Sequence, residues 1–115
     1  MHSTPRFLHG AYPFTGGGLE KPVPIDPELS YVDPAGLTAQ PLYFRGGNST
    51  AELVCVVLMR DGVPMRYFPI GAKGDTHVAL RVVEDLLSDT RVELQIMAPE
   101  GSAGVVILDL GLVEI

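Results

Sequence analysis

The sequence has little from which to build a cross-linked or helical protein. Its 115 residues include one cysteine, Cys55, and no tryptophan. A single thiol excludes an internal disulfide framework and any cysteine-based structural zinc site. Basic side chains are few, 8 against 14 acidic ones for a net charge of −6. A general nucleic-acid binder needs the opposite balance, because phosphates are held by a basic surface. No run approaches the length of about 18 apolar residues that a membrane-spanning helix requires. The first ten residues also lack the charged start and unbroken apolar stretch of a secretory leader. The expected setting is therefore cytoplasmic, with Cys55 reduced and the Asn48-Ser49-Thr50 glycosylation pattern a coincidence.

What is abundant is glycine, at 13, and proline, at 10. Together they exclude a helical bundle, while a 46% hydrophobic content excludes a disordered chain. The length suits one small domain with no room for a second core. Residues 1–36 hold six prolines and the Gly16-Gly17-Gly18 run, which favours extended backbone over helix. The segment is too apolar for a solvated linker, so it reads as an N-terminal arm docked on the domain 37–115 or on a neighbouring subunit.

From residue 37 onward, short apolar runs alternate with turn signals, the pattern of a sandwich or barrel. Strands are predicted over 37–44, 52–60, 63–70, 77–83, 90–98 and 105–115. Pro41 calls for an edge position or a bulge. Asp61-Gly62 is a hairpin turn. In 90–98, Val92, Leu94 and Ile96 take one face, and Arg91, Glu93 and Gln95 the other. The segment 77–87 carries a helical stripe as well as strand alternation, and a helix there would change the class from all-β to α+β. Leu86-Leu87-Ser88-Asp89-Thr90 before an alternating strand resembles the approach to a late strand in fibronectin type III domains. That resemblance implies a single antiparallel β-sandwich with Greek-key connections, like immunoglobulin and fibronectin folds.

In 52–60 both alternating sets are apolar: Leu53, Cys55, Val57 and Met59 on one side, Val54, Val56 and Leu58 on the other. A sandwich strand ordinarily buries one face only. The expected interface set is therefore Val54, Val56 and Leu58 with Phe7, Tyr12 and Phe14 of the arm. Its partner would be a second copy of the chain or another protein subunit.

Counting strand crossings brings three Gly-rich loops, 45–50, 71–77 and 99–104, to one end of the sandwich, where recognition loops commonly gather. The candidate ligand-binding residues there are Arg45, Asn48, Lys73, Asp75 and His77, with a small anionic ligand held by Arg45 and Lys73. Arg60, Asp61, Glu84, Asp85 and Asp89 form an acidic rim at the other end. Tyr43, Tyr67 and Arg66 would line a second groove if their strands were neighbours. No motif names a catalytic residue, and no cofactor is indicated. The glycine loops lack phosphate-loop spacing, and no serine sits in a nucleophile elbow. A metal site would need His2, His9 and His77 to converge with a carboxylate, and His2 and His9 lie in the N-terminal arm; Cys55 lies mid-strand as an inert thiol. The reading is a non-catalytic binding or assembly module, oligomeric or an accessory subunit. The competing readings are a small anionic-ligand binder or small enzyme working from the loop end, and a small subunit of a larger enzyme complex.

Overall fold

The computed structural model describes residues 3–80 and 84–115. The strands are β1 (Thr4–Thr15), β2 (Gly18–Pro24), β3 (Ser30–Val32), β4 (Ala39–Asn48), β5 (Val54–Arg60), β6 (Val63–Ile70), β7 (Asp75–Ala79), β8 (Arg91–Ala98) and β9 (Ala103–Glu114). A 3-10 turn, Pro27–Leu29, is capped by Asp26, whose Oδ1 accepts the Glu28 N–H at 2.9 Å. Every ladder is antiparallel. One sheet runs β1-β9-β4-β7, and the other runs β2-β8-β5-β6 with β3 also paired to β8. The expected antiparallel sandwich is present. Its strand order is that of a jelly roll, in which eight strands make two Greek keys, so the finer likeness to fibronectin domains does not extend to the order of strands.

Alternation builds the core. Val106, Leu108, Leu110 and Leu112 of β9 point inward against Val54, Val56 and Leu58 of β5 and Val92, Leu94 and Ile96 of β8. Phe44 and Phe68, one from each sheet, stack at 4.1 Å with their planes 7° apart. The hairpin at Asp61-Gly62 forms as expected, with φ of 49° and 81° that suit a two-residue turn of the primed type. Pro41 sits at a register shift in β4, an interior strand, so the bulge is realised and the edge position is not.

Two expectations are corrected. Of the expected arm, the described residues 3–36 are not laid over a finished domain. β1 is a full edge strand, paired with β9 from Thr4 opposite Glu114 to Thr15 opposite Ala103, and β2 is an edge of the other sheet. The prolines misled because proline is tolerated at sheet edges, where its missing N–H is not needed, and there it also discourages edge-to-edge pairing. Pro5 and Pro13 lie on β1, Pro22 and Pro24 on β2, and Pro64 and Pro69 on β6, all edge strands.

The second correction concerns the doubly apolar strand. Val54, Val56 and Leu58 are the inward set and belong to the core, as does Phe14, and Tyr12 packs against it; none of these forms an outer interface. The outward set is Cys55, Val57 and Met59. Val57 and Met59 are nonetheless buried, flanked by Tyr67 and Gln95 and by Pro64 and Glu93 on the adjoining strands. Their cover comes from neighbours within the sheet, so their burial calls for no second chain. Phe7 faces out and is exposed. Within 77–87, His77–Ala79 is strand, Leu86 bridges Ala39, and residues 81–83 lie outside the described part.

Candidate functional site

The loops do converge as the strand count requires. Asn48 N–H donates to Gly74 O (2.9 Å), Lys73 N–H to Thr50 O (2.7 Å) and Ser49 N–H to Val105 O (3.1 Å). Beside these loops, several polar side chains without partners among the described residues lie on the outer face of the β1-β9-β4-β7 sheet.

Register decides this. His9 of β1 is opposite Asp109 of β9, Asp109 is opposite Arg45 of β4, and Arg45 is opposite His77 of β7. The four form one transverse row across the sheet, all on its outward face. The next row is Ala11, Ile107, Gly47 and Asp75, and on the other side lie Phe7, Gly111, Tyr43 and Ala79. On this face β4 is low at Gly47, which has no side chain and lies between Ile107 of β9 and Asp75 of β7. The result is a groove of about 610 Å³ along β4, lined by Arg45, Gly47, Asp75, His77, Ile107 and Asp109 among others. Ile107 is 63% exposed on the β9 wall.

The chemistry of the lining is mixed. Among the described residues, the side chains of Arg45 and Asp75 make no hydrogen bond or ion pair, and His77 has only a perpendicular ring contact with Tyr43 at 6.4 Å. Asp109 accepts the Tyr43 hydroxyl at 3.1 Å. Burial first, and then that bond, push the Tyr43 hydroxyl above its ordinary value, so it stays a proton donor. The groove therefore offers guanidinium donors, carboxylate acceptors and an imidazole able to do either, beside exposed apolar surface.

Of the sequence candidates, Arg45, Asp75 and His77 meet in this groove. Asn48 does not: it is buried and ties the loops together. Its Nδ2 donates to Glu52 O (2.8 Å), Gly71 O (3.1 Å) and Ile70 O (3.3 Å), and its Oδ1 accepts from Thr50 N–H (2.9 Å) and Thr50 Oγ1 (2.8 Å). Lys73, at a turn with φ 52°, points its amine at Ser49 O (3.4 Å) and does not line the groove. An anion site built on Arg45 and Lys73 together is thus not assembled. Tyr67 and Arg66 lie on β6 in the other sheet from Tyr43, and Arg66 pairs with Glu84 at 2.9 Å, so that second groove does not form. Ile107 and Asp109 escaped sequence reasoning, and His9, considered there only as a metal ligand, stands at the end of the same row. Alternation along 105–115 puts Ile107 and Asp109 on one face, but only the β9–β4 pairing places them beside Arg45.

The remaining polar cluster is structural. At the far end of the sandwich, Glu114, 4% exposed, accepts the Tyr31 hydroxyl at 2.5 Å and pairs with Arg6 at 3.1 Å. Asp33 beside it is fully buried, with Oδ2 unpartnered, and burial holds its carboxyl above the usual range. Among the described residues, no three His, Cys, Asp or Glu converge as metal ligands. His9 and His77 sit on opposite edge strands of one sheet, and His2 lies outside the described part. Cys55 is half-buried, and burial pushes its thiol up, away from the reactive thiolate. A second hollow of about 420 Å³ between β1 and β2 is lined by Pro13, Phe14, Thr15, Val23, Pro24 and Ile25, none of them ionisable.

No protein-family model and no curated protein matches the chain. Solved structures do. The chain is similar to the CBM36-1 domain of a multidomain xylanase from the hindgut metagenome of Trinervitermes trinervoides, with a TM-score of 0.60 at 14% identity over 96% of both chains. It is also similar to a family 35 carbohydrate binding module from Clostridium thermocellum, with a TM-score of 0.47 at 13% identity over 95% of this chain and 97% of that one. Both neighbours are carbohydrate-binding modules. At these identities, the likeness of the first establishes the β-sandwich fold.

Proposed function

We propose that the chain is a non-catalytic carbohydrate-binding module whose ligand lies in the β4 groove. The observation that carries this reading is the convergence of Arg45, Asp75 and His77, whose side chains make no hydrogen bond among the described residues, beside Asp109 and the exposed Ile107. A sugar presents hydroxyls that both donate and accept and a ring face that is apolar. The groove offers a partner for each. Its charge also suits a neutral ligand better than an anion, since two carboxylates, Asp75 and Asp109, stand against one guanidinium. The jelly-roll likeness to a domain of a xylanase supports the same class.

A glycan array followed by calorimetry tests it. Hydrogen bonds to charged groups are worth about 1.5–3 kcal/mol, so Arg45→Ala or Asp75→Ala should weaken binding of a hit roughly 10- to 100-fold. Thermal stability should hardly move, because both side chains are exposed and unpaired. Tyr67→Ala, on the outer face of the other sheet, should leave affinity unchanged. No glycan hit, or a hit indifferent to both groove substitutions, would remove the proposal.

A further inference from the structure

We infer that the ring of Tyr43 is a platform on which one sugar ring of the ligand stacks, so that the site reaches from the β4 groove sideways over β9. This rests on the carbohydrate reading above and adds a residue beside the groove to the same site. The platform comes from a pairing of unlike residues. Tyr43 of β4 is opposite Gly111 of β9, and the glycine leaves the backbone of β9 bare there. The tyrosine ring lies over that backbone: a Cβ on Gly111 would sit 2.6 Å from Cζ, 2.8 Å from Cδ2 and closer still to Cε2. One ring face is therefore against the sheet, and Tyr43 is half-buried while Gly111 beneath it is buried. Two contacts keep the ring in this attitude. Its hydroxyl donates to Asp109 Oδ1 at 3.1 Å, and the His77 imidazole stands at 90° to it, 6.4 Å away. Across Gly111 in the same row comes Phe7, 52% exposed, so apolar surface continues to the β1 edge.

A pyranose has an apolar face of C–H bonds and a rim of hydroxyls. The face of an aromatic ring is apolar and carries partial negative charge, which suits C–H groups. Stacking the two removes apolar area from water on both partners. The rim of the sugar then falls among polar groups. Asp109 and Arg45 are the next outward residues on β9 and β4, about 7 Å along their strands at roughly 3.4 Å per residue. His77 stands at the edge of the Tyr43 ring. A sugar on Tyr43 thus has a carboxylate, a guanidinium and an imidazole beside its hydroxyls. Because the hydroxyl bond and the edge contact already hold the ring, stacking costs little side-chain freedom there. Ile107, on the other side of the polar row, is more exposed but offers no flat face.

Titration with the best-binding oligosaccharide, read by calorimetry and by near-ultraviolet difference spectra, tests this. The chain has four tyrosines and no tryptophan, so a sugar on Tyr43 perturbs a tyrosine band with no stronger chromophore over it. Wild-type protein should show a tyrosine perturbation that saturates with the calorimetric affinity. Tyr43→Phe keeps a flat ring and should bind within about threefold of wild type, with that perturbation gone. Tyr43→Ala removes the platform and should weaken binding about 10-fold. A general loosening of the site would not produce the Tyr43→Phe result, in which affinity is kept and the signal is lost. Wild-type binding without a tyrosine perturbation, or a perturbation that persists in Tyr43→Phe, would overturn stacking on Tyr43 while leaving the carbohydrate reading intact. Absence of binding by every glycan would overturn that reading, and this one with it.

Discussion

Gly111→Ala probes how the fold holds the groove in shape. Gly111 is opposite Tyr43 across the β9–β4 ladder, and its backbone is not left-handed. A Cβ there would fall against the Tyr43 ring, 2.6 Å from Cζ and closer still to Cε2. Carbon atoms in contact prefer about 3.5–4.0 Å, so the ring must withdraw by more than 1 Å or so. It cannot do that and keep its hydroxyl 3.1 Å from Asp109. Overpacking of this kind costs about 1–3 kcal/mol, and the lost hydrogen bond about 1 more. Gly111→Ala should therefore lower stability by about 2–4 kcal/mol. In a Tyr43→Ala background the obstacle is gone, and alanine is then favoured over glycine in a strand by about 0.5–1 kcal/mol. The same substitution should become stabilising. Urea denaturation of the four proteins closes the double-mutant cycle, with a coupling of about 3 kcal/mol. An equal cost in both backgrounds would refute the reasoning, because it would mean that something other than the Tyr43 ring crowds Gly111.

Two further predictions concern stability. Asp33 is buried with one carboxylate oxygen unpartnered, and burial raises its folded-state pKa. Its contribution is fully present below the unfolded value of about 3.9 and is lost as pH rises through the higher folded value. Asp33→Asn should thus gain stability over wild type at pH 7 and little at pH 4; denaturant midpoints showing one offset at both pH values would contradict this. Asn48→Ala leaves the carbonyls of Glu52, Ile70 and Gly71 without their shared donor. It should cost about 2–4 kcal/mol and hasten proteolytic cleavage in the 49–53 loop, and an unchanged urea midpoint would show that the loops hold without it.

The neighbouring parts of the molecule were unequally legible. Strand 90–98, the Asp61-Gly62 hairpin and the Pro41 bulge follow from residues within a few positions of one another. So does the gathering of the glycine loops, which needs only the number of crossings. Residues 1–36 are ambiguous in sequence because proline density is the same signal for a loose arm and for a protected edge strand. The difference is whether a partner strand is present, and β1's partner is β9, some hundred residues away. The same distance hid half of the groove.

By itself, the sequence determined which side chains share a face, because alternation has a period of two and is local. It put Arg45 and Tyr43 on one face of β4, and Asp109 and Ile107 on one face of β9. Only the tertiary structure decided which strands lie side by side, and so which of those faces meet. That choice rests on pairing between segments far apart in the chain, and on the volume each sheet must fill against the other. It sent Val54, Val56 and Leu58 into the core and left Val57 covered by its own neighbours. It also drew His9, Asp109, Arg45 and His77, from four separate strands, into a single row.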